Sequence, residues 1–95
     1  MISRDGERLR ADGALTLDTV TAAAEEGAKL LSSGIVDFSG VRQVDSSALA
    51  LIFEWLRQAA QQNLTLRFVN LPANLLALAD LYGVRKLIPV DPDAQ

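Results

Sequence analysis

Apolar residues along the chain switch between a period of two and a period near 3.6, and the switches mark out seven elements. From Glu7 to Leu17 the pattern alternates, with Leu9 and Ala11 on one side of Asp12-Gly13 and Leu15 and Leu17 on the other. Asp-Gly readily adopts the positive φ of a two-residue turn, so this stretch predicts a hairpin. Val20, Ala23, Ala24, Gly27, Leu30 and Leu31 then recur at helical spacing, with Asp18 and Thr19 as candidate caps and Gly34 as a stop. Ile35 to Phe38 reads as a buried strand. A helix follows from Asp45 to about Gln62, with Asn63 as its terminator. Leu64 to Val69 alternates as another strand. Pro72 suits the first turn of a third helix with apolar positions Leu75, Leu76, Leu78, Ala79 and Tyr82, which Gly83 ends.

Val84, Leu87 and Ile88 predict a short closing element, and residues 91–95 an acidic, frayed tail. The order is ββαβαβα. It predicts an α/β fold in which helices cover a mixed sheet, one domain over 1–95 with its ordered core at 7–90.

In the second helix, Leu49, Ile52, Phe53, Leu56 and Ala60 share one side and are read as core. Glu54, Arg57, Gln58 and Gln61 lie opposite, facing solvent. Leu51 and Trp55 fit neither group and sit one turn apart on the shoulder, one turn after Ser47. They either pack under a neighbouring element or form, with Ser47, a strip that faces a partner.

Composition narrows the chemistry. The chain has no cysteine and no histidine, which removes thiolate nucleophiles, Cys/His zinc sites and imidazole bases. Nine basic residues against twelve acidic ones, scattered along the chain, make nucleic acid an unsuitable partner. No apolar stretch approaches the ~20 residues of a membrane span, and no h-region follows Met1–Asp5, so a cytoplasmic protein without membrane insertion is expected. Asp37 and Asp45 lack the ligand spacing of a metal site, no Gly-rich phosphate loop is present, and no cofactor is expected. A non-enzymatic role follows.

The most informative segment is Val36 to Leu51, where Asp45-Ser46-Ser47 stands at a strand-to-helix junction. Backbone N–H groups and the positive end of the helix dipole make this a place for a hydroxyl cap, a phosphate or a partner's acidic group. Ser46 is the candidate N-cap, Ser47 an ordinary first-turn serine or a phosphorylation site.

Val36-Asp37-Phe38-Ser39-Gly40-Val41 followed by Val44-Asp45-Ser46-Ser47-Ala48-Leu49 resembles the signature of STAS domains, the fold of anti-sigma-factor antagonists and sulfate-transporter tails. The resemblance spans nearly the whole chain, and Leu75 to Val84 is most similar to the MlaB branch. That branch implies a small cytoplasmic subunit bound to the ATPase (MlaF-like) of an ABC-type phospholipid transporter at the inner membrane, maintaining outer-membrane lipid asymmetry. Its sensitive hydroxyl, at the ATPase contact, corresponds to Ser46. The anti-sigma branch implies instead an antagonist switched by a serine kinase acting on Ser47. Ala48 stands where the family usually has glycine. The expected partner surface comprises Asp45, Ser46, Ser47, Leu51 and Trp55.

Overall fold

The computed structural model describes residues 1–91. Four strands form one sheet in the order β1-β2-β3-β4, with β1 Ile2–Asp5, β2 Arg8–Leu15, β3 Gly34–Val44 and β4 Leu66–Val69. β1 runs antiparallel to β2, while β2, β3 and β4 are parallel. The crossovers between the parallel strands are α1 (Val20–Leu30) and α2 (Ser46–Gln61), and α3 (Ala73–Leu81) follows β4. A 3-10 turn at Arg85–Leu87 closes the fold. The order ββαβαβα is thus observed.

Side chains alternate across the strands. Leu9, Val36 and Phe68 align in register and are buried with Ala11, Leu15, Phe38 and Leu66. Phe38 meets Phe68 edge to face, with centroids 5.9 Å apart. The intervening positions Arg8, Arg10 and Arg67 keep access to water on the other face. Buried Asp37 sits among them, its carboxylate accepting from the Ser39 N–H, the Asn70 amide and Arg8. Burial pushes this carboxyl up, but the Asn70, Ser39 and Arg8 contacts outweigh it and leave the group below its ordinary value.

The hairpin differs from the sequence expectation. Its turn is Gly6-Glu7, with Gly6 at φ +61°, and Asp12-Gly13 lies inside β2. Gly13, at φ +82°, takes up a register irregularity where β2 pairs with β3. Long-range pairing overrides the local turn preference here. The ordered body accordingly begins at Ile2, which is buried, rather than at residue 7. Leu17, expected inside the hairpin, is exposed.

Two terminators behave as expected: Asn63 (φ +59°) ends α2 and Gly83 (φ +71°) ends α3. Gly34 instead opens β3, since α1 stops at Leu30. At the far edge, Val90 bridges Phe68, and Asp91 is buried with its N–H donating to the Phe68 carbonyl. Asp91 is therefore part of the body; the rest of the expected tail, 92–95, lies outside the described residues.

α2 is turned about its axis relative to the expected stripe. Ala48, Ile52, Trp55 and Ala59 are buried at its centre, while Phe53 and Leu56 are only half-buried and Ala60 is exposed. On a wheel of about 100° per residue the buried arc is displaced by roughly 80°. Of the two readings of Leu51 and Trp55, packing under a neighbouring element is the one observed, and their place in an exposed partner-facing strip is overturned: they are 1% and 0% exposed. α1 packs on that side of α2, and Gly27 makes the approach possible. A Cβ on Gly27 would come within 2.5 Å of the Trp55 indole carbons Cε2 and Cζ2.

Candidate partner-docking site

β3 ends at Val44, and the chain turns into α2 through Asp45, whose extended backbone (φ −135°, ψ −168°) is that of an N-cap. Asp45, not Ser46, caps the helix. Its Oδ1 accepts the Ser47 N–H at 2.8 Å, and its Oδ2 accepts the Leu17 N–H at 3.1 Å. One carboxylate thus ties the start of α2 to the loop between β2 and α1. The Leu17 and Ser47 N–H groups hold the carboxyl below its ordinary value.

With the cap supplied by Asp45, the Ser46 hydroxyl has no intramolecular hydrogen bond among the described residues. Ser46 is exposed and lines a groove of about 470 Å³ between the start of α2 and one side of α3. Val44, Asn74, Leu78, Leu81 and Tyr82 complete much of its wall. Leu81 is 76% exposed, Tyr82 56%, and Leu17, held beside Asp45, 76%. A hydroxyl and a capped helix end are therefore bordered by large apolar side chains in water. Ser47 is half-buried.

The structure brings Asp45, Ser46 and Ser47 together and places Leu51 and Trp55 beneath the surface. It adds Leu81 and Tyr82 at the groove and Leu17 beside Asp45; the sequence expectation put Leu17 in the hairpin and Tyr82 on the apolar side of the third helix, and gave Leu81 no role. A signal for Leu81 existed: Leu75 and Ala79 form the buried face of α3, and Leu81 lies on the opposite side, where a polar residue is expected. Fully buried Ala48 accounts for a small residue at the position after the serine pair.

The site holds the Asp45 carboxylate, its oxygens engaged by the Leu17 and Ser47 N–H groups, beside two serine hydroxyls. Among the described residues no cluster of acidic groups could hold a metal ion, and no helix is long and apolar enough to cross a membrane.

Known proteins share this arrangement of elements. A family model described as "Mlab, STAS domain" matches residues 1–89. The intermembrane phospholipid transport system binding protein MlaB of Haemophilus influenzae is 30% identical over 79 residues, covering 76% of this chain and 75% of that protein. The solved structure of the anti-sigma factor antagonist SpoIIAA in its unphosphorylated form is similar at a TM-score of 0.72, over 98% of this chain and 88% of that one. Its 13% identity makes that a likeness of fold. The match along almost the whole chain, the level of identity and the sheet order agree: the chain belongs to the MlaB family of STAS domains.

Proposed function

We propose that this protein is a non-enzymatic subunit that binds and supports the ATPase of an ABC-type phospholipid transporter, one that maintains outer-membrane lipid asymmetry. It would act in the cytoplasm, held at the inner membrane through that complex. The family supports the transporter context. The observation that carries the docking surface is the exposed apolar pair Leu81 and Tyr82 lining the groove with Asp45 and the unpartnered Ser46 hydroxyl, with exposed Leu17 tied to Asp45 through its N–H. Apolar side chains gathered at one groove stabilise association when covered, and a free hydroxyl beside them gives directionality. Leu51 and Trp55 support the surface from within by fixing α2 and make no part of it.

Co-purification with the transporter's nucleotide-binding subunit is the test. Binding is expected for the native chain and lost, with the fold retained, in Ser46→Arg and in Leu81→Ser. Normal binding by both variants would place the partner elsewhere. The alternative, an anti-sigma-factor antagonist switched at Ser47, fits the groove less well. Ser47 is half-buried and its N–H is held by Asp45, so a phosphate there would sit against a carboxylate. Phosphate found on Ser47 by mass spectrometry after incubation with a serine kinase would favour that alternative.

A further inference from the structure

At the opposite end of β3 from Ser46, the sheet order gathers arginines that are far apart in sequence. Arg8 of β2, Ile35 of β3 and Arg67 of β4 occupy one row across the strands. Together with Arg4 of β1 and with Ser32 and Ser33, which precede β3, these residues line a cavity of about 640 Å³. The chain carries a net charge of -3, yet this cavity holds three guanidinium groups against one carboxylate, that of Glu7.

The three arginines are not equally committed. Arg4 donates to the carbonyl oxygens of Glu7 and Leu30. Arg8 makes one contact of 3.3 Å with Asp37, whose other oxygen is already taken by Ser39 and Asn70. Arg67 has no hydrogen bond or ion pair among the described residues. The Ser33 oxygen accepts the Thr65 N–H at 2.9 Å, which leaves its own proton free to be donated. Gly34 keeps that side of the cavity as bare backbone: at φ +140° its absent Cβ would lie 3.1 Å from the Glu7 carbonyl oxygen. Asp5, in register with Arg8, and Asp37, which contacts Arg8, are the other nearby acids on this face.

We infer that this cavity binds a phosphate-class oxyanion, either free phosphate or the phosphomonoester of a lipid headgroup. Arg67 supplies the planar fork suited to two oxygens of such a group. The free donors of Arg8 and the hydroxyls of Ser32 and Ser33 complete the set. The site lies away from the docking groove and does not depend on the reading of that groove.

Titration of the full chain with sodium phosphate at constant ionic strength, followed by amide NMR, tests the inference. Saturable shifts are expected at residues 32–34 and 67. Arg67→Gln should weaken binding on the order of tenfold, the loss of a charged hydrogen-bond donor. Glu7→Gln should tighten it roughly twofold by removing the opposing exposed charge. A retained near-ultraviolet Trp55 signal shows that each variant is folded. A second arm measures co-sedimentation with phosphatidylcholine vesicles with and without phosphatidic acid. Sedimentation that needs phosphatidic acid and Arg67 identifies the headgroup as the source. Saturable phosphate shifts without sedimentation identify the free ion. Non-saturating shifts that are equal in the native chain and Arg67→Gln, with no Arg67-dependent sedimentation, overturn the inference.

Discussion

Asp45 and Gly27 each do locally what a search for functional groups would miss. Asp45 accepts two backbone N–H groups from segments 28 and 2 residues away. Its loss should therefore loosen both the α2 start and the loop carrying Leu17. Asp45→Ala is expected to lower the urea midpoint, while Ser46→Ala should stay within about 0.5 kcal/mol of the native chain, because Ser46 does not cap. The dependence on pH has a definite sign. The folded carboxyl titrates below its ordinary value, so its contribution is complete above about pH 4 and is lost as pH falls through the depressed value. Asp37 acts in the same direction, as does Glu54, which Arg57 and Gln58 lower to about 2. Stability measured by urea unfolding should thus fall from about pH 4 downward, less steeply in Asp45→Asn.

Gly27 costs helix propensity in α1, about 1 kcal/mol relative to alanine. The Trp55 indole occupies the space its side chain would need. Gly27→Ala should therefore destabilise by about 1–3 kcal/mol despite the better helix former, through overpacking against a ring with no room to move. Unfolding followed by Trp55 fluorescence reads this directly.

At the scale of elements, the rotation of α2 matters most. Sequence periodicity located the helix and its ends, but two faces of α2 are apolar and only the position of α1 selects which one is covered. Trp55→Ala is accordingly expected to cost about 3–5 kcal/mol, seen as a lower midpoint of cooperative unfolding. Leu81→Ser, on the open side of α3, should leave that midpoint nearly unchanged. The Trp55 Nε1 is buried without a hydrogen-bond partner, a cost the packing of α1 on α2 must offset. The Asp12-Gly13 reading failed for a related reason. Turn propensity is local, whereas Asp12 and Gly13 pair with Gly40 and Val41 of a strand more than 25 residues away. The actual turn residue, Gly6, lay outside the alternating stretch.

For the whole molecule, both sheet edges are partly covered, by a side chain on one and by a late segment on the other. On β1 the outward Ile2 N–H donates to Glu26 of α1 at 3.0 Å. On β4 the Phe68 N–H donates to the Pro89 carbonyl, and Asp91 returns a bond to Phe68. Covered edges do not template further strands. A chain ending at Ile88 would expose β4, and sedimentation velocity should then show concentration-dependent association that the full chain lacks. The two candidate surfaces, one apolar and one cationic, lie at opposite ends of β3 and can be occupied independently.

The sequence by itself determined the order of elements, the helix ends at Asn63 and Gly83, and Asp45-Ser46-Ser47 as the point of interest. These follow from periodicity and from residues whose backbone preference is local. Tertiary structure alone decided that Asp45 caps, that Leu51 and Trp55 are core, and that Leu81 and Tyr82 border Ser46. It alone brought Arg8 and Arg67 into one row. Burial and strand register are set by which segments meet in space, and a residue's own neighbours in the chain carry no record of that.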